Sequence, residues 1–120
     1  MNMLTPAEIA ENIVKALDSK KGEDIKLLKT DGITVLADYF VICTATSGPH
    51  IKALADEVDK CLSELGEPPI RREGYRSGSW VLLDFGCVIV HLFQQEAREF
   101  YNLERLWSDA VSVDISNMKK

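Results

Sequence analysis

The hydrophobic positions of the chain alternate between a helical and a strand period, which predicts helices and strands in turn. Helical spacing is found in TPAEIAENIVKAL, where Thr5 and Glu8 form a capping box before the apolar stripe. A second helix is predicted in SGPHIKALADEVDKCLSELGEPP, with Ser47 near its start and Gly66 at its end. Both helices have one apolar face, so each is expected to pack against another layer.

Short apolar runs between the helices predict strands in DIKLLKT, DYFVICTAT, IRREGYRSG, WVLLD and VIVHLF. The run DYFVICTAT is apolar at successive positions, which indicates a central strand buried on both faces. WVLLD and VIVHLF are joined across Phe85 and Gly86, a connection short enough for a hairpin. A two-residue turn there predicts that Trp80 lies opposite His91.

The last predicted element is an amphipathic helix in QQEAREFYNLERLWSDA, with Phe100, Leu103 and Trp107 on its apolar stripe. Residues 111–120 are expected to form a loose tail after a single domain of residues 1–110. The predicted order is α-β-β-α-β-β-β-α. This order indicates an α/β fold, in which a mixed sheet of about five strands is flanked by helices.

Composition narrows the functional classes. The chain has 120 residues, of which 46% are hydrophobic and 28% charged, as expected for one soluble globular domain without a membrane span. Its net charge of −5 disfavours direct binding to nucleic acid and favours a basic protein partner. The three cysteines form no CxxC pair and no signal peptide is recognisable, so we expect reduced thiols and a cytoplasmic location.

Candidate catalytic and metal-binding residues cluster around Asp84-Phe85-Gly86. Cys87 and His91 supply two ligands where zinc needs about four, so we expect no metal. Cys87 with His50 or His91 as a base has no supporting local signature for nucleophilic catalysis. Asp84 has neither a second carboxylate beside it nor a phosphate-binding glycine loop. We therefore expect no cofactor. For His91 we favour a hydrogen-bonded structural role, and a functional role stays open as the alternative.

Five segments carry a family resemblance: DYFVICTATS, HIKALADEV, EGYRSGSWVLLDFG, VIVHLF and EAREFYNLERLWSDA. Together and in this order they resemble the Iojap or ribosomal silencing factor family, over nearly all of residues 5–110. The resemblance implies a nucleotidyltransferase-like fold without enzymatic activity. It also implies a protein that binds the large ribosomal subunit through ribosomal protein uL14, sterically blocks association with the small subunit and so represses translation.

The alternative suggested by this fold is an enzyme acting on a nucleotide. Nucleotidyltransferases carry a Gly-Ser motif that leads to two aspartates one residue apart. Here Asp38 is followed by Tyr39 and Phe40, so the second carboxylate is missing. The family also usually has an aspartate after its DFG turn, where this chain has Cys87, so a polar contact at that corner is in doubt.

The candidate partner-binding residues combine aromatic anchors with acidic groups, because Trp and Tyr dominate interface energies and acidic groups attract basic ribosomal proteins. We expect the ribosome-binding surface to lie around the start of the hairpin and on the last helix. A small domain with an exposed aromatic face also favours a homodimer when free, which would have to separate before docking. The predicted ribosome-binding residues are Glu73, Tyr75, Trp80, Val81, His91, Glu96, Tyr101 and Glu104.

Overall fold

A mixed β-sheet with helices on both faces forms the centre of the molecule. The computed structural model describes residues 4–35, 37–74 and 78–118. The elements in chain order are α1 (Pro6–Ser19), β1 (Glu23–Lys29), β2 (Tyr39–Ala45), α2 (Gly48–Glu64), β3 (Arg71–Glu73), β4 (Trp80–Asp84), β5 (Val88–Gln94), α3 (Gln95–Tyr101), α4 (Leu103–Leu106) and β6 (Val111–Val113).

The sheet has six strands in the order β3-β4-β5-β2-β1-β6. The central pair, β2 and β5, is parallel, whereas the other neighbouring strands are antiparallel. Helices α1 and α2 cover one face, and α3 with α4 packs on the other. The predicted α/β class, with a mixed sheet flanked by helices, is confirmed.

The helix starts follow the predicted capping pattern. Thr5 Oγ1 accepts a hydrogen bond from the Glu8 amide at 3.1 Å, and the Thr5 amide donates to Glu8 Oε1 at 2.8 Å. At the start of α2, Ser47 Oγ accepts from the His50 amide at 3.1 Å. These bonds satisfy amides that lack intrahelical partners, which is why both helices begin where the sequence predicts.

The central strand β2 contributes side chains to two cores. Val41 and Cys43 face α1 and α2, whereas Phe40 and Ile42 face α3 and α4. Successive side chains of a strand point to opposite faces, so a strand buried on both sides needs apolar residues at every position. The prediction that this strand is central is confirmed.

The β4–β5 hairpin has a different register from the predicted one. Trp80 pairs with Phe93 rather than with His91, which pairs with Leu82. The reason is that the turn is centred on Gly86 and Cys87, one residue later than predicted. The Phe85 amide donates to the Val88 carbonyl at 2.9 Å, the Asp84 carboxylate accepts a hydrogen bond from the Gly86 amide at 2.7 Å, and Gly86 has a φ of 88°. The shift is two residues, so Trp80 and His91 still point to the same face of the sheet.

The predicted last helix is broken at Asn102. This residue has a left-handed backbone with a φ of 46°, and its amide donates to the Arg98 carbonyl at 2.9 Å, so α3 ends there and α4 starts in a new direction. Phe100 therefore leaves the predicted stripe and is 81% exposed. Trp107 remains on the core side, where its ring meets Phe40 edge to face at 5.1 Å.

The segment after residue 110, expected to be loose, adds the sixth strand. Val111–Val113 pairs antiparallel with β1, with Val113 opposite Leu27. Further along, Ile115 and Met118 pack against the core beneath α1 and α2. The edge of β1 would otherwise leave backbone amides and carbonyls without strand partners, and the tail residues cover it.

Gly74 allows the chain to pass close to Trp80 as it leaves β3. Its φ is 76°, and a Cβ at this position would overlap the Trp80 carbonyl oxygen. We therefore expect Gly74→Ala to destabilise the fold by about 2 kcal/mol, measured by urea unfolding. Gly66→Ala is the matched control because Gly66 also has a positive φ, of 84°, but a Cβ added there would have no described atom within 4 Å. Equal losses in the two variants would show that the overlap with Trp80 is relieved without cost.

Candidate functional site

Four rings meet on the sheet face beside α3 and form what we call the aromatic cluster: Trp80, His91, Phe93 and Tyr101. The ring centroids of Trp80 and Tyr101 are 4.4 Å apart, and those of Trp80 and Phe93 are 5.2 Å apart. Trp80 and Phe93 are direct cross-strand neighbours, and Tyr101 reaches them from the end of α3. Two other elements, β5 and α3, therefore hold the Trp80 ring.

An open concavity of about 350 Å³ lies beside this cluster. Trp80 and Tyr101 supply aromatic walls, and Glu73 contributes a carboxylate. Glu73 is exposed and forms an ion pair with Arg71 at 3.2 Å. Aromatic side chains in a recess bordered by charged groups are typical of the anchors of protein interfaces. The lining residues are Glu73, Gly74, Ser79, Trp80, Leu82 and Tyr101.

A second, shallower concavity of about 550 Å³ continues from Tyr101 along α3 and α4. Phe100 and Leu106 line it and are 81% and 69% exposed. The Phe100 and Tyr101 rings meet edge to face at 5.1 Å. Tyr101 lines both concavities, so the two adjoin at this side chain. Phe100 and Leu106 are absent from the predicted binding residues because the prediction assumed an unbroken helix; the signal was Asn102, a residue that tolerates the left-handed conformation.

His91 lies beneath the aromatic cluster rather than on its surface. It is 6% exposed, and its Nδ1 accepts a hydrogen bond from the Trp80 indole nitrogen at 3.2 Å. Burial lowers the pKa of His91 from 6.5 to about 4, because the charged imidazolium would lose its hydration. The side chain is neutral at physiological pH, and its Nδ1 carries the accepting lone pair.

The structure brings together only part of the predicted set. Glu73, Trp80 and Tyr101 line the same concavity. Val81 is fully buried and packs toward α1 and α2, because it follows Trp80 on the strand and points to the opposite face. Val81 and the buried His91 are therefore corrected: in this conformation neither side chain is placed to touch a partner. Tyr75 lies outside the residues that the structure describes.

Glu96 and Glu104 lie away from the aromatic concavity. Glu96 lines a polar recess of about 310 Å³ at the carboxyl ends of β2 and β5, together with Glu23 and Thr44. Glu104 points inward and accepts a hydrogen bond from Arg98 Nε at 3.0 Å. Glu104 is therefore largely engaged within the fold, whereas Glu96 is exposed and accessible to solvent or a partner.

Arg98 is a buried cation that the sequence pattern did not single out. It is 5% exposed, and its Nη1 donates to the Asp24 carbonyl and to Thr44 Oγ1, both at 2.7 Å. Its Nη2 lies 3.5 Å from Asp24 Oδ2 but has no hydrogen-bond partner within the described ranges. This network joins α3 to β1, β2 and α4. The only sequence signal was an arginine within an otherwise amphipathic helix.

The thiols and carboxylates offer little basis for catalysis. Burial raises the pKa of Cys43 to about 12, and burial followed by the Asp38 and Glu67 carboxylates raises the pKa of Cys87, so both thiols are protonated at neutral pH. The Asp84 carboxylate is occupied by the Gly86 amide and by Arg71 Nε at 3.3 Å. Across residues 4–35, 37–74 and 78–118, no cluster of three or more His, Cys, Asp or Glu side chains has the arrangement of a metal site. Within the same ranges, no helix combines the length and apolar character that a membrane crossing requires.

Comparisons with known proteins match nearly the whole chain to one family. Residues 4–120 match the family model described as ribosomal silencing factor during starvation. The chain is 40% identical to a ribosomal silencing factor of Halalkalibacterium halodurans over 111 residues, which cover 92% of this chain and 95% of that protein.

Two further similarities extend the comparison. The chain is 32% identical to a mouse protein named mitochondrial assembly of ribosomal large subunit protein 1, over 80% of this chain and 43% of that protein. A crystal structure of a Chromobacterium violaceum protein superposes with a TM-score of 0.86 at 37% identity, covering 88% of each chain. The chain thus resembles ribosomal silencing factors and related proteins in sequence, and the crystal structure of a protein 37% identical to it has the same fold.

Proposed function

Because this chain belongs to the ribosomal silencing factor family, we propose that it binds the large ribosomal subunit through ribosomal protein uL14 and blocks association with the small subunit. Translation falls because the two subunits do not join. The observation that carries this proposal is the group of aromatic and apolar side chains, Trp80, Tyr101, Phe100 and Leu106, that line the two adjoining concavities. We call it the docking face. Steric exclusion requires a binding surface and a bulky body, and no chemical step.

Aromatic anchors give the docking face its binding energy. Trp80 is half-buried and supported by Phe93 and Tyr101, so little conformational freedom remains to be lost on binding. Phe100 and Leu106 add exposed apolar area beside these supported rings. Interfaces concentrate their energy in such pre-positioned aromatic side chains, with less contribution from the surrounding contacts.

The acidic groups favour a basic partner. Glu73 lies at the first concavity, Glu99 lines the second together with Arg105, and the whole chain carries a net charge of −5. Charge complementarity accelerates encounter with a basic ribosomal protein and disfavours direct contact with ribosomal RNA phosphates. The docking face therefore suits a protein component of the subunit, as a contact with uL14 requires.

The size of the domain is compatible with a steric block. Its principal extents are 38 × 32 × 27 Å and its accessible surface is 6882 Å². A stable interface takes about 800 Å² from each partner, so docking leaves most of the domain projecting from the subunit. Where that body occupies space needed by the small subunit, the subunits are excluded from each other.

The docking face also favours a homodimer in the free protein. Phe100 and Leu106 are large apolar side chains with most of their surface in water, and a second copy covering them would reduce that exposure. Such a dimer uses the same surface as the ribosome and separates before docking. Sedimentation equilibrium of the free protein tests the dimer separately from ribosome binding.

Replacing Trp80 by alanine tests the docking face. We expect Trp80→Ala to weaken binding to purified large subunits about thirtyfold, equivalent to about 2 kcal/mol, and to reduce competition with small subunits in parallel. Co-sedimentation with large subunits over a range of protein concentrations measures the affinity. Thermal unfolding of the same variant establishes that the fold persists.

Ile70→Ala is the matched control, since Ile70 is also a large exposed apolar residue but precedes β3 and lines neither concavity. Its affinity should stay within about twofold of the unmodified chain. Unchanged binding by a folded Trp80→Ala variant would remove Trp80 from the docking face. Failure of the unmodified chain to co-sediment, with magnesium-dependent nucleotide transfer instead, would favour the enzyme alternative.

A further inference from the structure

We propose that His91 is a positioning residue that holds the Trp80 indole in its docking orientation through the hydrogen bond from the indole nitrogen to Nδ1. This inference rests on the proposed function, because it assigns Trp80 the role of anchor. In this proposal His91 does not touch the partner. The side chain acts from beneath the docking face and through a second residue.

The sheet geometry allows His91 to act only in this way. His91 pairs directly with Leu82 on β4, and Trp80 lies two residues away on the same strand and the same face. The imidazole is packed among rings, with centroid distances of 5.4 Å to Phe40 and 6.1 Å to Phe93. These neighbours fix the imidazole, so its Nδ1 is a stationary acceptor. The Trp80 ring is thereby anchored at its polar end as well as along its faces.

The chemistry of the indole makes an internal acceptor important. An indole nitrogen only donates, so the His91 Nδ1 must be the acceptor and the neutral ring carries its proton on Nε2. When a partner covers Trp80 and excludes water, an indole without an acceptor would be left unsatisfied. An acceptor that is already in place avoids that cost and limits the ring to one orientation before binding. The hydrogen bond therefore contributes to affinity without contact between His91 and the partner.

The free protein gives the first test, which is independent of the ribosome. The indole N–H signal of Trp80 is identified by NMR from its loss in Trp80→Phe, which separates it from Trp107. We expect its hydrogen exchange to be about fivefold to tenfold faster in His91→Phe, which keeps a ring but lacks an acceptor. In His91→Asn it should remain slow, because the amide oxygen lies about as far from Cβ as Nδ1 does. Equal exchange in His91→Phe and the unmodified chain would overturn the proposal.

A double-mutant cycle gives the second test. With purified large subunits, His91→Phe should weaken binding about fivefold, and His91→Asn should restore it to within about twofold of the unmodified chain. In a Trp80→Phe background there is no indole donor, so His91→Phe should have no further effect. The same fivefold loss in both backgrounds would show that His91 acts through packing alone and would overturn the proposal.

The two tests separate this inference from the function on which it rests. If the unmodified chain does not bind large subunits, the proposed function fails, while the exchange measurement still decides whether His91 holds the indole. If His91→Phe does not fold, His91→Gln replaces it, because its acceptor lies one bond farther from Cβ. Positioning then predicts faster indole exchange in His91→Gln than in His91→Asn, and equal rates would contradict it.

Discussion

Lowering the pH from 7 to 4 should destabilise the fold by about 3 kcal/mol through His91 alone. Burial lowers the pKa of this side chain to about 4 from its ordinary 6.5. Between these two values the unfolded chain binds a proton that the folded chain does not. Stability therefore falls as the pH decreases through this window, and the loss is nearly complete at the pKa of the folded state. The same burial that keeps the imidazole neutral makes it a source of acid sensitivity.

Urea unfolding at pH 7, 5.5 and 4 measures this effect, with His91→Asn as the control. Asparagine does not titrate, so the variant retains the acid response of the carboxylates and lacks that of the imidazole. The stability difference between the unmodified chain and the variant should shift by about 3 kcal/mol over the range, against the unmodified chain at acid pH. Parallel pH dependences for the two proteins would contradict the burial of a neutral His91.

Features determined by neighbouring residues were predictable from the sequence. The capping box of Thr5 and Glu8 and the two-sided apolar run of β2 specify their elements locally, and both appear as expected. The hairpin register and the helix break depend on the conformation of single residues. The Asp84 carboxylate accepts from the Gly86 amide in a turn centred one residue later than predicted, and Asn102 adopts a left-handed backbone that many residues tolerate poorly. The alternative turn positions and backbone conformations differ from one another by small free energies. The spacing of apolar residues therefore does not show which of them the chain adopts.

Some features of the candidate site were likewise predictable from the sequence, and others were not. Glu73, Trp80 and Tyr101 were grouped from residue type and family resemblance, and the structure places them around one concavity. Val81 could have been excluded from the sequence, since neighbouring strand residues face opposite sides. The predicted pairing placed Trp80 directly opposite His91, so a contact between the two side chains was expected. The observed hydrogen bond instead runs diagonally between the strands, in a register shifted by two residues.

Arg98 is the position where we expect the largest single loss of stability. Arg98→Ala should destabilise the fold by about 3–4 kcal/mol in urea unfolding, because Thr44 Oγ1 and the Asp24 carbonyl lose their donor in a buried environment. The substitution also leaves a cavity where the long side chain was packed. The carboxylates of Asp24 and Glu104 are partly exposed, so water can replace the lost cation for them and limit the cost.

Arg98→Met separates packing from hydrogen bonding, because it keeps an unbranched apolar chain of similar length without donors. If the donors dominate, Arg98→Met should lose nearly as much stability as Arg98→Ala; if packing dominates, it should regain most of the loss. We expect the former, since Arg98 is the residue that joins α3 to β1, β2 and α4 at once. Loosening α3 also displaces Tyr101, so folded Arg98→Met protein should bind large subunits less tightly at a temperature well below its unfolding midpoint. Full stability of Arg98→Met would show that the buried hydrogen bonds contribute little to the fold.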